Sequence, residues 1–425
     1  MKVRDVVATA VATILVLGLA GPASAAKPKT RLISRATSGT PGDNDSYNPV
    51  LSASGRYIAF ESYASNLPGG NGSNEQVYVH DRVTKKTRLV SKFAGQPGTG
   101  DSYDPSISGD GRYVSFTSTA SNFPGGDGAT EQIYVHDRVT KKTRLVSKTP
   151  GGAPGGGHSS DSAISGNGRV VVFETEAPNL GGSGADEQLR VYNLRKKKGR
   201  LLSKTKAGVP GDGTSNDPAI SHSGRYVVFE TDAPNLGANN SPDDQIALWD
   251  RKTGRIRIVS RSSSGAKADG DSDDPNISAN GRWVTFSADS TNLGPADGTY
   301  DQAYLRDLAK RKTRLVSKSS GGAIGDDDSG DGAVSDDGRF IVFETFAPNL
   351  GANGDFQILL RDMKKNMTKL MSRDAAGAPG SWAFMSRGQR TITPDGRFVS
   401  FDARGTNLPG GAGGFNQTYI RGPLI

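Results

Sequence analysis

The chain of 425 residues contains no cysteine, three tryptophans and five methionines, and only 34% of its residues are hydrophobic. Without cysteine it can form no disulfide bond, no thiolate metal site and no lipid linkage through a thiol. Beyond an apolar run at the N-terminus, no stretch shows a convincing helical period. Glycine is abundant, with 56 residues. This composition favours short strands separated by turns over a helical fold.

The first 25 residues are typical of a secretory signal peptide. Lys2 and Arg4 precede an apolar run at residues 6–20, and Ala23-Ser24-Ala25 forms a small-x-small cleavage site. The run is short for a transmembrane helix. We therefore expect cleavage after Ala25 and a secreted or periplasmic protein with no integral membrane span. An uncleaved N-terminal anchor is the alternative.

A sevenfold repeat fills the remaining chain, residues 26–425. A Gly-Arg dipeptide opens one strand of every copy, at Gly55, Gly111, Gly168, Gly224, Gly281, Gly338 and Gly396. The copies fall near residues 30–86, 87–142, 143–199, 200–254, 255–312, 313–366 and 367–425. Each copy contains four short strands joined by turns. Seven such copies predict a single all-β domain, a seven-bladed β-propeller with four antiparallel strands per blade. A β-solenoid is the alternative.

The two chain ends predict how the ring closes. The sequence stops just after the third strand of the seventh copy, and the segment TRLIS at 30–34 matches the fourth-strand segment TRLVS at 87–91. The N-terminal strand should therefore complete the last blade. We expect a monomer.

One turn carries a resemblance to a known family. The segment TPDGRFVSF at 393–401 resembles the S-P-D-G-(K/R)-x-(I/V)-x-F signature of TolB-type, WD-repeat-like bacterial propeller repeats, and the turns at 108–112 and 335–339 fit it equally well. The resemblance implies a propeller fold and a role in interactions, without naming a partner. TolB itself resembles a six-bladed ring with an extra N-terminal domain, and neither feature is present in this sequence.

Positive charge should collect on one face of the propeller, which we call the turn face. The turns between third and fourth strands hold half of the 52 Lys and Arg residues. The candidate residues of this basic face are Lys85, Lys86, Lys141, Lys142, Lys196, Lys197, Arg311, Lys312, Lys364 and Lys365. Such a belt would attract acidic polymers or anionic surfaces. The alternative is that the turns are only solvated and discourage edge association. We expect no nucleic-acid partner, because the turns lack interleaved aromatics and the protein is exported.

The opposite, long-loop face should be acidic. Loops such as GTGDSYD (98–104) and ADGDSDD (268–274) lead into the first strands of their copies. Oxygen ligands alternating with glycine can hold Ca²⁺, so Ca²⁺ is a candidate ligand although no cofactor is required. The weak metal candidates are Asp101, Asp104, Asp271, Asp273 and Asp274. The alternative is that these acids form Asx-type turns.

A selective site should break the repeat, because chemistry needs one site rather than seven. His80 and His136 occupy identical positions and are expected to be scaffold, whereas His158 is unrepeated on the long-loop face and is a candidate ligand-binding residue. The seventh copy is the sharpest irregularity, with GSWAFMSRGQRTIT at 380–393 in place of an acidic loop. Its candidate ligand-binding residues are Trp382, Phe384 and Met385, expected on a surface loop, with Arg387 and Arg390 beside them. Alternatively, Trp382 plugs the central channel or packs under neighbouring loops.

The sequence thus predicts an exported binding or scaffolding module, which contacts a protein or an envelope glycan through its long-loop face. An enzyme is the less favoured alternative. It would be a metal-assisted lyase, a lactonase or a glycosidase acting on an extracellular carbohydrate or lactone, with a site assembled across blades and therefore without a local motif.

Overall fold

The computed structural model describes residues 28–182, 184, 186–239, 243–296 and 298–424. The predicted signal peptide and its cleavage site lie outside these residues. None of the helices that are described has the length and hydropathy needed to cross a membrane.

Seven four-stranded antiparallel sheets form the seven blades of the predicted propeller. The innermost strands are Ser46–Leu51, Ser102–Ile107, Ala163–Ile164, Ser215–Ile220, Ser272–Ile277, Ser329–Val334 and Ala383–Phe384. The second strands are Tyr57–Ser62, Tyr113–Ser118, Val170–Thr175, Tyr226–Thr231, Trp283–Ala288, Phe340–Thr345 and Val399–Ala403. The third strands are Gln76–Asp81, Gln132–Asp137, Gln188–Asn193, Gln245–Asp250, Gln302–Asp307, Gln357–Asp362 and Gln417–Gly422. The outer strands are Lys86–Leu89, Lys142–Leu145, Lys198–Leu201, Arg255–Ile258, Lys312–Leu315, Met367–Leu370 and Lys29–Leu32.

A short hairpin and several 3₁₀ helices lie outside the seven sheets. A two-stranded hairpin pairs Lys92–Phe93 with Gln96–Pro97. Short 3₁₀ helices span Pro178–Leu180, Pro234–Leu236, Pro348–Leu350 and Gly411–Gly413.

The N-terminal strand closes the ring, as the sequence predicts. Thr30 pairs with Arg421 and Leu32 with Tyr419, so that the first described strand forms the outer strand of blade seven. The pairing continues through the backbone amide of Ile33, which donates to the Thr418 carbonyl at 2.8 Å.

A Phe in the second strand and a Gln at the start of the third strand recur in all seven blades, and both have structural roles. The Phe of each second strand is fully buried, and in blade one Phe60 stacks on Tyr78 with ring centroids 5.7 Å apart. Gln76 accepts a hydrogen bond from Ser91 at 2.7 Å and donates to the Gly98 carbonyl at 3.3 Å. These contacts join the third strand to the outer strand and to the loop that leads into the next blade. The repeat therefore encodes packing.

A β-bulge in five of the innermost strands turns side chains toward the channel that runs along the ring axis. The strand register shifts between Tyr103 and Ser106 in blade two, and equivalent shifts occur in blades one, four, five and six. Bulges re-aim a side chain, and Asp104 at this bulge adopts a left-handed conformation with φ of 48°. Asp and Asn tolerate that conformation better than other residues with side chains.

Candidate functional site

A ring of polar side chains surrounds the channel at the long-loop face. In six blades the residue at the position of Asp104, which lies at a β-bulge in five of them, has a φ between 43° and 53°. We call these residues the axial ring: Asn48, Asp104, Asp161, Asp217, Asp274 and Asp331. All six line one cavity of about 510 Å³, the acidic mouth of the channel.

A second tier of carboxylates supports the axial ring from the preceding blade. Glu61 accepts the backbone amide of Asp104 at 2.6 Å, and Glu174 accepts that of Asp217 at 2.6 Å. The supporting carboxylates are those of Glu61, Glu174, Glu230, Glu344 and Asp402. In these blades the acid that follows the second-strand Phe is therefore a hydrogen-bonded structural carboxylate.

Burial and mutual repulsion raise the pKa of several of these carboxyl groups. Burial, together with the nearby Glu61 carboxylate, raises the pKa of Asp104 to about 8. Burial raises the pKa of Asp402 to about 8 and, with the neighbouring Asp217, raises that of Glu230 to about 10. The pKa of Asp331 is also well above its ordinary value because the group is buried beside Asp274. The mouth therefore holds more carboxyl groups than it can hold as anions.

Three acids at the junction of blades four and five have the spacing of a cation site. Glu230, Asp244 and Asp273 each offer an oxygen, and these oxygens lie within 4.8 Å of one another. At the equivalent junction of blades one and two, Tyr103 takes the position of Asp273. Of the predicted metal residues, Asp273 thus belongs to a group that could hold a metal, and Asp104 and Asp274 belong to the axial ring.

The remaining metal candidates make turn contacts. Asp101 accepts the backbone amide of Glu75 at 2.9 Å, and Asp271 accepts that of Asp244 at 2.9 Å. These bonds fix the entry to a third strand of the preceding blade; they join distant segments and are not Asx-type turns, so the Asx-type alternative stays a prediction.

Blade seven interrupts the ring with an insert. The backbone amide of Met385 donates to Glu344, the contact that Asp217 makes with Glu174, so Met385 occupies the seventh ring position. Gly396 follows Met385 by 11 positions, whereas Gly111 follows Asp104 by 7 positions. We call residues 385–391 the insert. It enters the channel, where the Gln389 carbonyl accepts a hydrogen bond from Asn276 at 2.7 Å.

The two arginines of the insert point to different places. Nε of Arg387 lies 3.5 Å from Oδ1 of Asp274 and 3.6 Å from Oδ1 of Asp331, in the acidic mouth. These two carboxylates raise the pKa of Arg387. Arg390 lies deeper and lines the narrow part of the channel that leads to the turn face.

Aromatic side chains form one wall of the mouth. Ring centroids are 5.3 Å apart for Phe346 and Phe356, 5.5 Å for Phe356 and Phe384, and 6.4 Å for Phe384 and Trp382. We call these four residues the aromatic wall. Phe356 and Phe384 line the same cavity as the axial ring.

The expectation of a surface loop at 382–390 is correct for Trp382 and wrong for two other residues. Trp382 is 46% exposed and does not plug the channel. Met385 is only 4% exposed, because it packs against Phe401 and its neighbours in the core of blade seven. Arg390 is not beside Trp382 on the surface, because the insert carries it down the channel.

The histidines divide as their repetition indicates. His80 and His136 are buried, with Nδ1 at 3.0 Å and 2.9 Å from Thr87 and Thr143 hydroxyls, and burial lowers the pKa of both to about 4. His158 is half exposed, with Nδ1 3.3 Å from a carboxylate oxygen of Glu131.

The basic turns lie on the turn face and are solvated. All ten candidate residues of the basic face are exposed. Beside them, Arg56 and Asp81 form a two-pronged ion pair at 3.0 and 2.9 Å, and four other blades repeat this pairing. Whether the basic face binds anything stays a prediction.

Sequence reasoning missed most of the axial ring. Asp161, Asp217 and Asp331 were not singled out, because a recurring Asp before a strand is typical of a turn. The sequence does contain a signal for four of the six ring positions. An Asp-Pro or Asn-Pro pair recurs at the same position of the repeat, at 48–49, 104–105, 217–218 and 274–275.

Comparison with known proteins agrees with the fold. No protein-family model matches the sequence, and no curated protein matches it. Among solved structures, the chain resembles an oligogalacturonate lyase from Vibrio parahaemolyticus, with 12% identity, a TM-score of 0.56 and coverage of 93% of this chain and 96% of that one. The β-propeller domain of the trilobed protease from Pyrococcus furiosus gives 10% identity, a TM-score of 0.56 and coverage of 89% and 93%.

TolB from Acinetobacter baumannii is a more distant match. It shares 12% identity with a TM-score of 0.42, and the alignment covers 78% of this chain but 64% of TolB. Such identities concern the fold alone. The chain is a seven-bladed β-propeller with an acidic axial mouth, and its membership of the TolB-type repeat family stays a hypothesis.

Proposed function

We propose that this protein is a binding module and that the acidic mouth binds a cationic segment of a partner protein. The segment would present a guanidinium or ammonium group next to an apolar side chain. The observation that supports the proposal is that all six residues of the axial ring line one cavity of about 510 Å³. The guanidinium of Arg387, from the insert, lies in the same cavity beside Asp274. A protein partner on the long-loop face was one of two partner classes expected from the sequence.

Electrostatics favours a cation over other ligands. Carboxyl groups with raised pKa values, such as Asp104 and Asp402, are poorly solvated as anions. A cation entering the mouth would stabilise their charged forms, and the ion pairs of Arg387 show that a guanidinium fits between Asp274 and Asp331.

The aromatic wall supplies the apolar half of the site. Trp382 is exposed and lies beside Phe384, which faces the cavity. Aromatic faces attract both apolar side chains and cations. An envelope glycan could stack on the same wall and donate its hydroxyl groups to the axial ring, but a neutral sugar supplies no counter-charge for the ring carboxyl groups, so we favour the protein ligand.

A cation-assisted enzyme is the second candidate, and the spacing of Glu230, Asp244 and Asp273 favours it. A divalent ion held there could polarise a substrate oxygen. The similar lyase is named for a polyanionic sugar, oligogalacturonate. Such a substrate would find no positive charge among the five aspartates and one asparagine of the axial ring, which makes this reaction the weaker candidate.

We also propose that the protein is exported to the periplasm or the medium, on the basis of its N-terminal sequence. We propose that it is a monomer, on the basis of the self-closing ring.

Calorimetric titration with a hexa-arginine peptide tests the proposal. Wild type should bind it, and the Asp104→Asn/Asp217→Asn variant should bind it about tenfold or more weakly, since each lost charge pair is worth on the order of 1 kcal/mol or more. Asn already occupies the ring position in blade one, as Asn48, so the variant should fold.

The matched control is Asp110→Asn on the turn face, where blades three and five already carry Asn167 and Asn280. It removes the same type of charge and should leave affinity unchanged. Absence of binding by wild type, or equal losses in the two variants, would overturn the proposal. Divalent-ion-dependent cleavage of oligogalacturonate that Asp273→Asn abolishes would establish the second candidate instead.

A further inference from the structure

A cavity of about 230 Å³ lies between blades six and seven, toward the turn face, and shares no residue with the acidic mouth. Its floor is apolar, because Phe340, Leu360 and Met371 are buried members of the core that blades six and seven share. Leu424 packs against the same core from the blade-seven side of the cavity.

Blade seven lacks the turn that joins the third and outer strands of the other blades, because its outer strand, Lys29–Leu32, comes from the N-terminal segment. Arg421 in blade seven occupies the position of Arg361 in blade six, and each donates from Nη1 to a threonine hydroxyl of its outer strand. Nε lacks a partner in both arginines, so they differ at Nη2. Nη2 of Arg361 donates to Asn366 of the blade-six turn, whereas that of Arg421 donates to no atom of the described residues.

The charge of Arg421 is buried without a counter-charge. Arg421 is 4% exposed and lines the cavity, and its hydrogen bonds run to the Thr30 hydroxyl at 2.6 Å and the Arg373 carbonyl at 3.2 Å. Among the residues that the structure describes, no carboxylate oxygen lies within 4.0 Å of its guanidinium. Burial and the nearby Arg373 lower the pKa of Arg421 to about 10. A cation removed from water needs a counter-charge or a full set of acceptors.

The rim of the cavity adds further positive charge. Five cations line the cavity: Arg339, Lys365, Lys369, Arg373 and Arg421. Asp362 is the acid among the lining residues, and Arg339 already pairs with it through two contacts at 3.0 and 2.8 Å. Four positive charges are therefore left unmatched above an apolar floor. This combination suits an anion that carries an apolar chain.

The volume limits the length of that chain. A cavity of about 150 Å³ holds benzene, so a cavity of about 230 Å³ has room for roughly nine heavy atoms. A carboxylate with a chain of about six carbons, such as hexanoate, has this size.

We propose that this cavity binds a small organic carboxylate with an aliphatic chain, with the carboxylate beside Arg421 and Arg373 and the chain over Leu360 and Met371. The bound carboxylate would supply the counter-charge that the buried guanidinium lacks. The site does not depend on the function proposed for the acidic mouth.

The probe is hexanoate, and an NMR titration that follows saturation transfer to the ligand gives its dissociation constant. Wild type should bind hexanoate more tightly than acetate, by about fourfold for each CH₂ group that is buried. It should also bind hexanoate more tightly than hexan-1-ol, which has the chain without the charge. Equal affinity for hexanoate and hexan-1-ol, or no saturable binding of hexanoate, would overturn the proposal.

Arg421→Met removes the buried cation and should weaken hexanoate binding about tenfold or more. Arg361→Met is the matched control, because it removes the equivalent buried arginine of blade six, which does not line this cavity. The control should keep the wild-type affinity for hexanoate, and losses of equal size in the two variants would refute the site.

A second pair of variants guards against misfolding of Arg421→Met. Lys369 is exposed on the outer strand of blade six, so Lys369→Glu should fold and should weaken hexanoate binding several-fold. Arg314→Glu is its control, because Arg314 is exposed at the same register of blade five. Unchanged affinity in Lys369→Glu, or the same loss in Arg314→Glu, would contradict the proposal.

Discussion

The backbone amide of Asp104 donates to the carboxyl group of Glu61 in the preceding blade, at 2.6 Å. This bond ties the axial ring to the blade packing, because the same residue pair links blade one to blade two and points the Asp104 side chain into the channel. A substitution that breaks this bond should therefore affect both the axial ring and the stability of the propeller.

Two replacements of Glu61 distinguish the contribution of its hydrogen bond to stability from the contribution of its charge. Glu61→Ala leaves the buried Asp104 amide without its acceptor, and the free energy of unfolding should fall by about 1–3 kcal/mol. Glu61→Gln keeps one acceptor oxygen for that amide, but its NH₂ group would face the Asn48 amide that donates to the other Glu61 oxygen at 2.8 Å, so its loss should be smaller than that of Glu61→Ala. Urea unfolding measures both variants, and a loss of equal size in the two would show that the charge, not the hydrogen bond, matters.

The raised pKa values predict a direction for stability against pH. Asp104 and Asp402 have pKa values of about 8 in the fold, against about 3.9 for an unfolded Asp. The folded state thus binds more protons, so the stabilisation is present below pH 4 and is lost as pH rises from about 4 to 8. The melting temperature should fall over that window.

The variant Asp104→Asn/Asp402→Asn should flatten this dependence, because the two titrating groups are gone. Wild-type stability that rises between pH 5 and pH 8 would contradict the assignment of protons to the ring.

Closure of the ring by the N-terminal strand predicts strong destabilisation on its removal. Deleting residues 26–35 removes the outer strand of blade seven together with Ile33, which is 2% exposed. The single change Ile33→Ala should already cost about 2–5 kcal/mol of the free energy of unfolding. Unchanged melting of the deletion variant would refute the closure.

Arg387 should compete with an incoming cation. It occupies part of the acidic mouth through Asp274 and Asp331, so Arg387→Ala should raise the affinity for hexa-arginine about tenfold. Arg404→Ala removes an exposed charge from the same face and should have little effect. Calorimetry compares them; weaker binding by Arg387→Ala would mean that Arg387 helps to form the site.

The aromatic wall should favour peptides that alternate leucine with arginine over hexa-arginine. The double variant Trp382→Ala/Phe384→Ala should remove that preference, with a loss of about 1–2 kcal/mol for the mixed peptide. The preference is measured as the ratio of the two dissociation constants. A ratio that stays the same in the variant would exclude the wall from the site.

The repeat made the fold predictable, because its period and turn residues depend on local backbone geometry. Gly111 and its equivalents mark each turn, and the match of TRLIS to TRLVS revealed the closing strand. These features are contained in neighbouring residues, so they can be read without knowledge of the distant contacts.

The site was less predictable, because it depends on which residues meet at the axis. Asp161 and Asp331 look like turn residues in the sequence, and only the folded ring, in which both have a positive φ, shows that they line one cavity. The irregular segment at 380–393 was found because it breaks the repeat. The path of this segment could not be predicted, because the insertion of Arg390 into the channel depends on contacts with Leu51 in blade one.

Proton release on ligand binding tests the central claim most directly. Hexa-arginine is titrated into the protein at pH 7 in two buffers that differ in ionisation enthalpy, and the difference in heat gives the number of protons released. A cation entering the mouth should lower the pKa of ring acids such as Asp104, which is about 8 in the free protein, so protons should be released. Binding without proton release, or with release unchanged in Asp104→Asn/Asp217→Asn, would contradict a cation-binding acidic mouth.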